Sequence, residues 1–404
     1  MKEPIELDFN PQSLAFVENP WPVYRHLQAN APLHFHKSMQ GWFVSRYDDV
    51  MRLIRDDRLS TSFYDWEFAP AKPVGDDISD FDRLLSNATF QLKHQDHQRI
   101  RRLVSPAFAP RVQHKIERQL KTLADELFQS VPHKAPFDYV TAISRQMPAK
   151  SIARIIGIAI EDEAAFEKLV MGMTEGINPL LSEEIRQHAI NGISEGIDLL
   201  RHVIDERRTN PQDDDFLSQL ILAEEEGEKL SHWELIALIA ALVAAGADTA
   251  GQLHTQLIVC LHRNPSQAKL LHKQPDLIQA AITETLRFDF FKSPGQLRYM
   301  LEDVDYGGVT FKAGQMVILS LGSAHRDPDI FENPDQFIIE RDQSASHVFS
   351  MGPHYCMGAV IARAQGEAVW RALNERFPNY RIISEPLYDP QQGMAAVELM
   401  VSPR

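Results

Sequence analysis

The chain has 404 residues, 44% of them hydrophobic and 24% charged, with a formal net charge of −15. That composition supports a sizeable core under an ordinary charged surface, and the acidic balance excludes general nucleic-acid binding while leaving room for a local basic face. Two cysteines, Cys260 and Cys356, are too few and too differently placed for a disulfide framework, and a reducing cytoplasm fits them.

No fixed-period repeat, low-complexity tract or interdomain linker interrupts the sequence, so one domain over residues 1–404 is expected. The N-terminal stretch MKEPIELDFNPQSLAF has no apolar signal core. Two strand-like segments, Pro32 to His36 and Gly41 to Tyr47, predict a hairpin. Residues 62–92 read as irregular, with Phe63, Trp66, Phe68, Phe81 and Phe90 among polar and proline positions. Such a loop either folds over something apolar or is anchored to the core by its rings.

From Arg111 to Arg287 the pattern is mostly helical, with breaks at Pro132 to Pro136, at Asn178-Pro179 and at Thr209 to Asp215. The longest apolar run, Leu235 to Ala247, is shorter than a bilayer crossing requires; a buried helix ended by Asn264-Pro265 is expected, with no membrane anchor. Beyond Arg287 the chain turns strand-like, as in Gly308 to Leu321. A last helix reaches about Arg376, and short strands fill Tyr380 to Val401 around a turn near Gly393. The predicted class is mainly α with a smaller β region.

Four segments carry chemistry. FSMGPHYCMG, residues 349–358, sets Cys356 between glycines and behind Phe349, just before a helix. A lone thiol so placed suits a soft metal that wants one anionic sulfur, haem iron being the leading case, or else is a buried structural cysteine. In LIALIAALVAAGADTAGQLHTQ, the residues Ala245, Gly246, Ala247, Asp248 and Thr249 interrupt an apolar helix. Gly246 leaves space where a flat ligand could approach, and Thr249 can bond back to the preceding turn, so an acid, an alcohol and a water together make a proton relay. The alternative is a polar kink without chemistry.

Glu284 and Arg287, three apart on one helical face, can pair. In HQDHQRIRRLVSPAF, His97 and Arg101 share a face while Arg99 and Arg102 point the other way. A zinc site on His94 and His97 lacks a third ligand nearby. No phosphate-binding glycine loop, nicotinamide fingerprint or flavin module is present.

The pattern Phe349, Gly352, Cys356, Gly358 resembles the haem-binding signature of the cytochrome P-450 superfamily, and the other three motifs follow in the right order. Departures are Ser350 where glycine is usual, Lys93-His94-Gln95 in place of an Asp-Pro-Pro run, and His325 where asparagine is usual. The resemblance runs from about residue 8 to the C-terminus. It implies the cytochrome P-450 fold, a triangular helical prism enclosing haem b (iron protoporphyrin IX), with Cys356 as the metal ligand. Phe349, Gly358, Ala245 and Gly246 would lie against the haem, and His97, Arg101, Arg298 and His354 would hold its propionates. Asp248 and Thr249 would deliver protons for O–O cleavage. Glu284, Arg287 and Arg341 would form a buried structural lock.

By the same resemblance the protein would be a soluble, cytoplasmic, bacterial-type monooxygenase. It would use O2 and electrons from a ferredoxin and ferredoxin reductase to hydroxylate or epoxidise a hydrophobic small molecule such as a polyketide, macrolide or terpenoid. The substrate pocket would draw on the 62–92 loop, Thr174 to Leu181, Ala241, Ala245, Phe290 to Ser293 with the charged Lys292, and Gly393 to Ala396. Arg99, Arg102 and Arg363 would guide the redox partner. The alternatives are a peroxide-driven haem-thiolate enzyme and a non-catalytic, P-450-like docking domain.

Overall fold

The structure is a computed structural model that describes residues 9–11, 13–75, 78–92, 94–108, 110–158, 165–166, 168–170, 172, 183–212, 215–225, 228–290, 295–389 and 395–403. The helices used below are, in chain order, α1 (Asp80–Asn87), α2 (His94–Val104), α3 (Pro110–Ser130), α4 (Gln146–Ile156), α5 (His232–Arg263), α6 (Ile278–Thr285) and α7 (Ala359–Arg376). The strands are β1 (Leu33–His36), β2 (Gly41–Val44), β3 (Leu59–Ser60), β4 (Gln296–Met300) and β5 (Met316–Leu319). Contacts divide the chain into two compact units, one of residues 1–71, 255–357 and 384–399, the other of residues 72–254, 358–383 and 400–404.

The first unit is built on a five-stranded sheet in the order β1-β2-β5-β4-β3. β1 and β2 pair antiparallel as the predicted hairpin, with Leu33 opposite Val44. β2 and β5 run parallel, and β5 pairs antiparallel with β4, placing Arg298 opposite Val317. Alternation along the strands sends side chains to opposite faces. Val44, Met300, Val317 and Leu319 join one buried cluster, while Phe43, Tyr299, Met316 and Ile318 join another. The sheet is therefore covered on both faces, which is why β5 reads as an unbroken apolar run and is buried throughout.

Phe63 and Trp66 pack with ring centroids 6.3 Å and 6.5 Å from Tyr299, on the second of these clusters. For these two rings the anchoring reading holds. Residues 62–92 are also less irregular than expected. Ser79 caps α1 by accepting the Asp82 N–H, and Asp80 and Asp82 complement the helix N-terminus. The short run of acidic and polar residues hides this helix from an apolar-periodicity reading.

The second unit is helical. α3 packs along α7, and α3 also meets α4. α4 ends at Gly157, which takes a left-handed φ of 80° as its C-cap. A small sheet joins Arg381–Ile382, Met400–Ser402 and Phe137–Asp138. This unit holds α5 up to His254; the rest of the helix counts with the first unit. Residues Leu235 to Ala241 and Val243 of α5 are all buried, as expected for a helix apolar on every side. By length and composition α5 could cross a bilayer, but 62% of its most apolar window is buried inside the protein, which accounts for its hydropathy.

Candidate active site

The cysteine segment is a self-closed turn in the first unit. Cys356 donates its backbone N–H to the Phe349 carbonyl at 2.9 Å, and Tyr355 donates to Gly352 at 3.1 Å across the short helical turn Gly352–His354. Gly352 has φ 69°, a left-handed value suited to glycine. Ser350 also sits there, at φ 65°, although it carries a Cβ. Met351 is buried and its sulfur lies 3.1 Å from Arg55 Nε. Phe349 and His354 are half-buried, while Cys356 is exposed. The turn thus presents its thiol outward on a braced backbone, so the buried structural cysteine is ruled out.

Arg298 lies on β4 in the same unit and is 6% exposed. Burial pushes its guanidinium down to about 10, from 12.5. Among the described residues no carboxylate pairs with it. It donates to two neutral acceptors, the Leu297 carbonyl at 2.8 Å and Gln296 Oε1 at 3.1 Å. A buried cation without a counter-ion is costly and calls for an anion. Gln296, which the sequence reading passed over, also lies 3.5 Å from the Ser350 hydroxyl. The signal for it was available: residues i and i+2 of a strand share a face.

The predicted lock is assembled within the first unit. Glu284 on α6 takes Arg287 Nε at 2.7 Å and a terminal nitrogen at 2.8 Å, both side chains being fully buried. Arg287 further donates to the carbonyls of His325, Pro334 and Gln336 at 2.9, 3.0 and 3.1 Å. Its five N–H groups thus meet five acceptors, which is the condition for burying a guanidinium. Arg341 Nε adds a contact to Glu284 at 3.3 Å, and the Ile338 N–H another at 2.9 Å. The three carbonyls come from a loop without periodicity and could not be read in advance.

The remaining candidates belong to the second unit. Thr249 is exposed and donates its hydroxyl to the Ala245 carbonyl, four residues back, at 2.6 Å. The side chain of Asp248 lies outside the described residues. Ala245 is exposed and Gly246 half-buried. A Cβ at Gly246 would stand 2.9 Å from Ile152 Cδ1 of α4. The bare Cα thus also admits the end of a neighbouring side chain on one side.

His97 on α2 is buried at 3% exposure and Arg101 is half-buried. Gly358 precedes α7, and its carbonyl accepts the Ala362 N–H at 2.8 Å. Arg99, expected to guide the redox partner, is ion-paired with Glu234, and its side chain is 21% exposed. The stretches 174–181, 291–293 with Lys292, and 393–394 lie outside the described residues.

These donors fit a haem. Among the described residues no three His, Cys, Asp or Glu side chains come close enough to hold a metal ion together. A macrocycle needs only one protein ligand, and the exposed thiol of Cys356 can supply it. Haem propionates would supply the anion that buried Arg298 lacks among the described residues.

Comparison with known proteins agrees. The family model described as cytochrome P450 matches residues 68–377. The chain is 31% identical to an epothilone C/D epoxidase of Sorangium cellulosum, over 97% of this chain and 94% of that one. It is also 31% identical to the polyketide biosynthesis cytochrome P450 PksS of Bacillus subtilis, over 94% of each chain. A vitamin D(3) 25-hydroxylase of Pseudonocardia autotrophica is 32% identical over 89% of this chain and 87% of that one. Among solved structures, epothilone B-bound cytochrome P450epoK superposes with a TM-score of 0.90 at 30% identity, covering 98% of this chain and all of that one. The protein has the cytochrome P450 fold and belongs to the cytochrome P450 family, whose monooxygenases carry haem b.

Proposed function

We propose that the protein inserts one atom of O2 into a hydrophobic secondary-metabolite intermediate, a polyketide, macrolide or terpenoid, with electrons from a ferredoxin and its reductase. The observation that carries the reading is the exposed Cys356 thiol on a turn closed by its own backbone. The names of relatives support the substrate class: one is an epothilone epoxidase and another serves polyketide biosynthesis. A cytoplasmic location fits two cysteines that form no disulfide with each other. The five chain crossings between the units, after residues 71, 254, 357, 383 and 399, support one folding domain.

Bound haem supplies the activation of O2, favoured by electron donation from a thiolate ligand. Each residue then has a definite task. Cys356 would hold the iron, and Phe349 would limit water around the sulfur. Arg298, His97, Arg101 and His354 would bind the propionates by charge-assisted hydrogen bonds. Ala245, Gly246 and Gly358 would lie against the haem. Thr249 gives its own hydroxyl proton to the Ala245 carbonyl, which leaves the lone pairs of Oγ1 to accept a proton from Asp248 or water and hand it on. Glu284, Arg287 and Arg341 keep the loop before the cysteine turn in place.

The test is optical. The reduced, carbon monoxide-treated protein should absorb near ~450 nm and Cys356→Ser should not, since the band follows anionic sulfur ligation. A wild-type protein without that band, after haem loading, sinks the assignment. Macrolide and polyketide candidates that move the Soret band to shorter wavelength identify the substrate class. Turnover with ferredoxin and reductase, compared with peroxide alone, decides between O2 activation and a peroxide-driven enzyme.

A further inference from the structure

The side-chain amide of Gln296 stands between two groups of different origin. On one side is the buried guanidinium of Arg298, on the other the hydroxyl of Ser350, one residue beyond the carbonyl that receives the Cys356 N–H. We propose that Gln296 is a positioning residue that couples Arg298 to the cysteine turn, so that the buried cation and the backbone carrying Cys356 hold one fixed arrangement. The inference rests on the haem-thiolate reading above and adds a residue to which that reading gives no role.

The chemistry fixes the direction of each bond. Arginine has donors only, so the oxygen of the Gln296 amide, not its nitrogen, has to face Arg298. That oxygen has a second lone pair, and the Ser350 hydroxyl then donates to it across 3.5 Å. Neither end is free to wander. Gln296 is held by β4, where it pairs opposite Leu319, and Arg298 follows two residues later on the same strand face. Ser350 is 6% exposed and held at φ 65° by its N–H bond to the His347 carbonyl at 2.9 Å. A left-handed serine is disfavoured where glycine would be free of strain. The hydroxyl contact to Gln296 is the interaction that glycine at 350 could not make, and it gives the strained residue a physical reason.

The consequence concerns the iron as well as stability. A guanidinium held in place near the propionates fixes a positive charge that favours the reduced haem; a guanidinium released from Gln296 can move toward solvent. The experiment is a double-mutant cycle on the haem-loaded full-length protein. Gln296→Met keeps the length of the side chain and removes the acceptor, and Ser350→Ala removes only the hydroxyl. Haem transfer to apomyoglobin and the ferric/ferrous reduction potential are both measured. Loss of the link should speed haem loss about tenfold in Gln296→Met, the size expected for one charge-assisted hydrogen bond, and about threefold in Ser350→Ala, which removes a neutral contact.

Each variant should also lower the reduction potential, and the double variant should shift both readouts no further than the larger single one. Additive shifts, or unmoved potentials in variants that keep the ~450 nm carbon monoxide band, overturn the coupling while leaving the haem-thiolate reading intact. If Gln296→Met does not fold, Gln296→Leu takes its place in the cycle, with the same outcomes. A wild-type protein that lacks the band overturns both.

Discussion

Glu284 and Arg287, one helical turn apart on α6 and the turn that follows it, form a two-bond ion pair from which water is wholly excluded. Burial makes this pair costly to break, because either partner left alone keeps its charge in a place without solvent. Glu284→Ala or Arg287→Ala should destabilise the protein by about 3–5 kcal/mol. Arg341→Ala should cost about 1–2 kcal/mol, since its carbonyl contacts lie where water can replace it. Urea midpoints of the three variants check the ranking, and equal effects would contradict it.

Two glycines beside the site make opposite demands. A Cβ at Gly295 would lie 2.3 Å from the Leu319 carbonyl oxygen, with φ at +148°. A Cβ at Gly352 would find only Arg55 Cγ at 3.6 Å, ordinary contact, so φ of +69° is its sole difficulty. Gly352→Ala should therefore cost about 1–2 kcal/mol, the left-handed strain alone. Gly295→Ala should cost more than about 3 kcal/mol, because β4 and β5 have to separate. Chemical denaturation of both variants measures the difference.

Arg298 offers a test in which stability and cofactor retention move apart. Arg298→Met removes a buried charge that no described carboxylate compensates, and should raise apoprotein stability by about 1 kcal/mol or more. The same variant should lose haem about tenfold faster, for want of a charge-assisted contact. Calorimetry of the apoprotein and haem transfer from the loaded protein read the two effects. Loss of stability in the apoprotein would show that the neutral acceptors already satisfy the guanidinium.

His254 on α5 is 1% exposed, and among the described residues neither ring nitrogen has a hydrogen-bond partner. Burial lowers its pKa from 6.5 to about 3. The sign follows from linkage. Between about pH 3 and 6.5 the unfolded chain takes up a proton at this residue and the folded one does not, so stability falls as pH falls through that window. At pH 5 the loss should be about 2 kcal/mol relative to neutral pH. His254→Leu should remove that part of the slope, and melting curves from pH 7.5 to 4.5 would show it. An unchanged slope would mean that the imidazole charges while still folded.

The sequence by itself determined which chemistry was available. One cysteine between glycines, an apolar helix broken at Asp248-Thr249, and the Glu284–Arg287 spacing are local patterns, and local spacing survives folding unchanged. The hairpin of β1 and β2, the long buried helix and the final helix were legible for the same reason: period two and period three-to-four are properties of a short segment. Helix α1 was not, because its signal is a serine cap and acidic first turn inside a stretch dominated by scattered aromatics.

Tertiary structure decided what each residue is for. Arg99 became half of an ion pair because Glu234, far away in sequence, meets it. Gly246 turned out to make room for Ile152 of another helix. Arg287 takes three carbonyls from residues 325–336 beside the Glu284 carboxylate, and the Gln296 side-chain oxygen comes within reach of both Arg298 and Ser350. Burial and the supply of hydrogen-bond partners depend on which distant segments close over a side chain, and no local pattern encodes that.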